Sequence, residues 1–111
     1  MQFKHRTEGD VHVLELSGKI TIGEGDVELR RTVHGMIDVG HHKILLSLEK
    51  VGFMDSAGLG ELVACLKRAT EKGGTIKLLR PSGKVADLIS LTKITEIFEI
   101  FEDEREALAS F

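Results

Sequence analysis

The spacing of apolar residues changes along the chain in a regular order. Residues 2–7 and 10–18 flank Glu8-Gly9-Asp10, a turn signal, and Val11, Val13, Leu14 and Leu16 make the second segment largely apolar, which predicts a β-hairpin. From Glu24 to Val39 the period lengthens. Leu29, Val33, Met36 and Ile37 fall at i, i+4, i+7 and i+8, acids occupy the first turn and Gly40 lies just past the end, as in an amphipathic helix. Ile44-Leu45-Leu46-Ser47-Leu48, continuing through Val51 and Phe53, reads as a central strand covered on both faces. After Asp55-Ser56 the helical period returns at Leu59, Leu62, Val63, Leu66 and Ala69, closed by Gly73-Gly74. Thr75 to Leu79 reads as a strand and Ser82 to Leu91 as a helix with Val85, Leu88 and Ile89 inward. Ile97 to Phe101 reads as a short last strand, and Asp103 to Ser110 as a closing helix.

The resulting order is β-β-α-β-α-β-α-β-α. Strands joined through helices run parallel, and right-handed crossovers lay those helices on the sheet. The expectation is one α/β domain over residues 1–111, with a mixed, mostly parallel five-stranded sheet, four helices and an antiparallel hairpin at its start.

Composition narrows the function. A chain of 111 residues with 41% hydrophobic and 30% charged residues is sized and composed for a single soluble domain. Its single cysteine, Cys65, cannot form an internal disulfide. Fifteen Lys and Arg against 18 Asp and Glu leave a net charge of −3, with no basic face for nucleic acid. Glu96, Glu99, Glu102, Asp103, Glu104 and Glu106, offset only by Arg105, make the far end repel anionic lipid. No apolar run approaches a membrane span and the start lacks the apolar stretch of a signal peptide, so the expected address is the cytoplasm, without membrane insertion.

The stretch richest in chemistry is Phe53-Met54-Asp55-Ser56-Ala57-Gly58-Leu59-Gly60, where a central strand passes directly into a helix. That edge of an α/β sheet is where ligands and partners bind. Ser56 is placed to be the N-cap. Gly58 and Gly60 each cost ~1 kcal/mol relative to Ala inside a helix, so bare backbone there implies that something approaches closely. A phosphate on Ser56 would lie at the positive end of the helix dipole and would change docking rather than fold.

Other chemistries fit less well. Met54-Asp55-Ser56-Ala57-Gly58 matches a hydrolase nucleophile elbow except for its first glycine, yet His5, His12, His34, His41 and His42 all precede Ser56, against the usual chain order. The Asp-Ser pair of acyl carrier proteins belongs to an all-helical fold, which the strands exclude. Neighbours such as His41 and His42 point to opposite faces of a strand and read as solvated turn residues, and a single cysteine supplies no cysteine cluster, so no metal or cofactor is expected. Gly23-Glu24-Gly25 lacks the third glycine of a dinucleotide loop. Cys65 lies one residue off the helix's apolar stripe and reads as partly buried packing rather than a reactive thiol.

These residues together resemble the STAS domain family, the sulfate-transporter and anti-sigma-factor-antagonist family, and within it the free-standing bacterial antagonists. The likeness covers nearly the whole chain. It rests on the element order, on Leu16-Ser17-Gly18-Lys19-Ile20 ending the second strand, on the Asp55-Ser56-Ala57-Gly58-Leu59-Gly60 segment where the family commonly has Asp-Ser-Ser-Gly-Leu-Gly, on the Pro81-Ser82-Gly83-Lys84-Val85 turn, and on the segment from Leu91 to Phe98. The resemblance implies a regulatory switch and not an enzyme. Ser56 takes the position of the phosphoacceptor, modified by a partner that is both anti-sigma factor and serine kinase. The unphosphorylated form binds that partner and frees the sigma factor, and a PP2C-type phosphatase resets the cycle.

By the same resemblance Thr21, Asp55, Ser56, Ala57, Gly58 and Leu59 form the partner-binding surface. Ala57 replaces the family's second serine, and Thr21 stands where an acidic residue is common, with Glu24 the next acid. The resemblance also admits a different class, in which Ser56 only caps its helix and the chain is a structural subunit of a stress-signalling assembly or of a lipid-transporting ATP-binding cassette system. Nothing in the sequence specifies oligomeric state.

Overall fold

The computed structural model describes all 111 residues. Its elements are β1 (Gln2–Glu8), β2 (Val11–Ile20), α1 (Asp26–Asp38), β3 (Lys43–Met54), α2 (Ser56–Glu71), β4 (Thr75–Leu79), α3 (Gly83–Leu91), a single 3₁₀ turn (Ile94–Glu96), β5 (Ile100–Phe101) and α4 (Glu104–Ala109). The sheet order is β1-β2-β3-β4-β5, with β1 antiparallel to β2 and the other pairs parallel. β3 is central, as its apolar run predicts. No helix is long and apolar enough to cross a membrane.

Because the strands follow one another in sequence order, same-handed crossovers stack α1, α2 and α3 on one face of the sheet. The period-2 alternation of the strands shows this directly. Leu14, Leu16, Ile44, Leu46, Leu48, Ile76 and Leu78 join Leu29, Val33, Ile37, Leu62, Val85 and Ile89 of the helices in the main core. The intervening residues Val11, Val13, Leu45 and Leu79 face the opposite side, where Ala107 of α4 covers them. Lys77 lies on that side too, 7% exposed. Its ammonium donates to the Ser110 carbonyl at 2.8 Å, pairs with Glu99 at 2.5 Å and sits 4.8 Å from the Phe111 ring centroid, so the charge enters the core only with partners.

Three expectations shift on folding. The last strand shrinks from Ile97–Phe101 to Ile100–Phe101, because Ile94 and Phe98, four apart, both enter the main core and the amides of Ile97 and Phe98 turn back onto the Ile94 carbonyl. Helical spacing defeats the strand reading there. The buried stripe of α2 is Gly58, Leu59, Leu62, Cys65 and Ala69, with Val63 and Leu66 at its margin, since α2 packs on α1 as well as on the sheet. Cys65 is therefore fully buried rather than partly so, and burial, with Glu61 adding to it, pushes its thiol pKa up to about 12. Finally, His41 is half-buried and stacks on His12 with ring centroids 3.8 Å apart, while His12 Nδ1 lies 2.9 Å from His5 Nε2. Only His42 is the solvated turn residue expected of the pair.

Candidate functional site

β2 and β3 end together, with Ile20 opposite Met54, and the chain enters α2 without an intervening loop. Asp55, not Ser56, is the N-cap. Its backbone is extended, and Oδ1 accepts the Gly58 N–H at 2.9 Å while Oδ2 accepts the Ile22 N–H at 3.0 Å. Both residues are good caps by type, but only a carboxylate has two oxygens with which to tie the helix to a second loop. That loop, Thr21 to Gly25, is closed by paired backbone bonds between Thr21 and Glu24 at 2.7 and 2.9 Å. Thr21 and Asp55 thus come together through Ile22.

Freed from capping, Ser56 is the exposed first residue of α2. The first turn of this 16-residue helix carries no acidic residue. Ala57 is half-buried, and Gly58 and Leu59 are buried, so these three shape the site from beneath and Ser56 is what it presents.

The close approach that bare backbone implies is present at Gly58 and absent at Gly60. A Cβ on Gly58 would lie 2.1 Å from the Ile20 carbonyl oxygen, and one on Gly25 would lie 2.3 Å from the Lys19 carbonyl oxygen. Gly25 also has φ +91°, which favours glycine. The close approach at Gly58 is made by the chain's own β2, whereas Gly60 has open space around it. Consecutive carbonyls at the end of β2 are therefore gripped between the starts of α1 and α2.

Sequence reasoning missed the apolar rim. Ile22 is 78% exposed and Phe53 40%, and Val27 in the first turn of α1 is also exposed. Phe53 pairs with Lys19 across the sheet and lies under the Lys84 ammonium, 5.8 Å from the ring centroid. An isoleucine between Thr21 and Gly23, in a turn with no core to enter, was the available signal.

The site does not assemble a serine-hydrolase triad. His12 lies opposite Ile44, eight residues back along β2 from Ile20, hence about 26 Å away at the spacing of a strand. His34 faces Glu61 and Cys65, roughly 8–14 Å along α2 from Ser56.

The Asp55 carboxyl is held below the usual carboxylate range, first by the Ile22 N–H and then by the Gly58 N–H. A carboxyl depressed in the folded state stabilises it fully above its unfolded pKa of about 3.9, and that contribution is lost as pH falls through the folded value. Asp55→Asn keeps an oxygen for Gly58 but offers none to Ile22. We expect a lower Tm at neutral pH and a smaller further loss on acidification than in the parent, measured by circular dichroism melts across the acid range. The residual acid sensitivity comes from Asp10 and Asp38, whose carboxyls Lys43 and Arg68 also depress. Equal acid sensitivity in the two proteins would show that Asp55 is not a significant contributor.

The STAS domain family profile matches residues 2–107. A candidate anti-sigma factor antagonist of Thermotoga maritima is 29% identical over 96% of this chain and 94% of its own, and its crystal structure superposes with a TM-score of 0.90, at 30% identity over 97% of this chain and 92% of that one. The anti-sigma-B factor antagonist of Bacillus subtilis is 30% identical over 86% of this chain and 84% of its own. The fold is also that of the Bacillus cell fate determinant SpoIIAA in its phosphorylated form, at TM-score 0.75 and 21% identity over 98% of each chain. With the element order, the carboxyl-edge site and the profile match in agreement, this chain belongs to the STAS domain family.

Proposed function

We propose that the protein is an anti-sigma factor antagonist, a binding switch of the cytoplasm rather than an enzyme, whose Ser56 end docks an anti-sigma factor. The observation that carries this reading is the exposed Ser56 hydroxyl at the start of α2, at the edge of the sheet that also exposes Ile22 in the loop bonded to Asp55 and Phe53 near the end of β3, and remote from an imidazole base. Solvent-exposed apolar side chains beside a modifiable hydroxyl suit a protein interface and supply no chemistry of their own. The relatives named as anti-sigma factor antagonists support the partner class.

The partner is also a serine kinase. It transfers the γ-phosphoryl group of ATP to Ser56 Oγ, breaking the bond to the β-phosphate, leaving ADP and releasing the hydroxyl proton. The phosphoserine adds about −1.5 to −2 charges against an apolar contact surface, and a PP2C-type phosphatase removes them by hydrolysis. Asp55 and the Thr21 loop shape the recognised surface.

The test is intact mass and site mapping of the protein isolated from its native host in growth and under stress. Ser56 occupancy that changes with condition, with capture of an anti-sigma factor by the unmodified form, is the expected result. Ser56 unmodified in every condition, with the protein recovered in a large assembly or with a membrane ATPase, would overturn it.

A further inference from the structure

We propose that His34, Glu61 and Cys65 form a zinc site that clamps α1 to α2. His34 lies on α1, and Glu61 and Cys65 are one turn apart on the facing side of α2, the i, i+4 spacing by which a single helix offers two ligands to one ion. A nitrogen, a carboxylate oxygen and the sulfur of these three residues all lie within 4.8 Å of one another. The independent observation is that His34 Nε2 and Glu61 Oε1 are both buried and have no hydrogen-bond partner. Buried polar atoms are almost always satisfied, and two orphans beside a fully buried thiol define a cluster built around something else.

A divalent ion satisfies all three at once. Zinc binds nitrogen, sulfur and oxygen donors tetrahedrally at about 2.0–2.3 Å, which sets neighbouring donors about 3.5 Å apart. The observed cluster, with its donors within 4.8 Å, must close by about 1 Å to reach that spacing. On binding, the Cys65 S–H bond breaks and an S–Zn bond forms, with the proton leaving to solvent. Thiolate, carboxylate and neutral imidazole then balance the two positive charges of the ion, so the ion and its ligands, of which Cys65 is buried and His34 and Glu61 are half-buried, carry no net charge. The mixed donor set suits zinc better than magnesium or calcium, which take oxygen alone. A water completes the fourth position.

The surroundings fit three protein ligands. Asp38, one turn after His34, is already taken by Arg68 at 2.7 Å. Arg30, one turn before His34, acts on the thiol electrostatically and favours the thiolate. The other histidine cluster, His5, His12 and His41, lies on the hairpin and after α1, and serves as the internal control.

The test uses the full chain stripped of metal with a chelator and titrated with cobalt(II), then with zinc in competition with a chromophoric chelator. One equivalent of cobalt should give tetrahedral visible bands and a sulfur-to-cobalt charge-transfer band, and zinc should displace it, release about one proton and raise Tm. Cys65→Ser should abolish the charge-transfer band. Glu61→Gln, nearly isosteric and expected to fold, should weaken zinc at least tenfold, as should His34→Gln, whereas His12→Ala should leave binding unchanged. Absence of the charge-transfer band in the parent protein, or zinc binding that survives Glu61→Gln and is lost in His12→Ala, would overturn the assignment.

Discussion

Gly58→Ala should destabilise the protein by about 2 kcal/mol, while Gly60→Ala, two residues along the same helix, should stabilise it by up to ~1 kcal/mol. Helix propensity alone predicts a gain at both positions, because alanine is the better helix former by ~1 kcal/mol. Packing reverses the sign at Gly58. Its new Cβ would lie 2.1 Å from the Ile20 carbonyl oxygen and 2.9 Å from Met54 Cγ, and backbone atoms have nowhere to retreat within a sheet. Overpacking of this kind costs about 1–3 kcal/mol and exceeds the propensity gain. Gly60 has nothing within 4 Å of its would-be Cβ and keeps the gain. For a domain of this size about 1 kcal/mol shifts Tm by about 4 °C, so equilibrium urea unfolding and thermal melts both resolve the two effects. Equal signs for the pair would show that the first turn of α2 relaxes freely away from β2.

The same contrast shows which features the sequence alone could display. Periodicity is local, so Leu29, Val33 and Ile37 announced α1, and the Ile44–Leu48 run announced a central strand. The topology followed because same-handed crossovers leave few alternatives. Boundaries and caps were harder. Asp55 and Ser56 are both capping residues, and the fold decides between them by bringing the Gly58 and Ile22 amides to the two oxygens of Asp55. Gly58 and Gly60 look alike in sequence and differ only in what the fold sets beside them. Ile94 and Phe98 sit where strand and helical spacings compete, and the core resolved the choice by burying both. His34, Glu61 and Cys65 belong to different periodic segments, and no local pattern links one to the others across the α1–α2 interface. The strand-to-helix junction that carries Ser56 was legible because the apolar run of β3 meets the helical period of α2 there. Its rim was not, since exposure of Ile22 is a property of the folded surface.

Ser56→Asp should leave the fold intact and weaken binding to the anti-sigma partner by about 100-fold, or ~2.7 kcal/mol. The two halves of this expectation have different causes. At the start of a 16-residue helix whose first turn carries no acid, a new carboxylate meets the positive end of the helix dipole, an exposed-site effect of about 0.3–1 kcal/mol, partly offset by repulsion from Asp55. Tm should therefore hardly move. In the proposed complex, the same carboxylate enters an interface to which the exposed Ile22 and Phe53 contribute apolar area, and an unpaired charge desolvated at an interface costs several times what it gains at an open helix end. Ser56→Ala adds no charge and should bind as the parent does; on the proposed kinase reading, ATP should release the partner from the parent and not from this variant. Ile22→Ala supplies the complementary measurement. An isoleucine 78% exposed contributes little to folding, so its truncation should spare Tm yet weaken the complex about tenfold, as loss of an apolar anchor does. Titration calorimetry of the three variants against the isolated partner separates the outcomes: Ser56→Asp binding like the parent would remove the charge mechanism, and Ile22→Ala binding like the parent would move the interface away from this edge of the sheet.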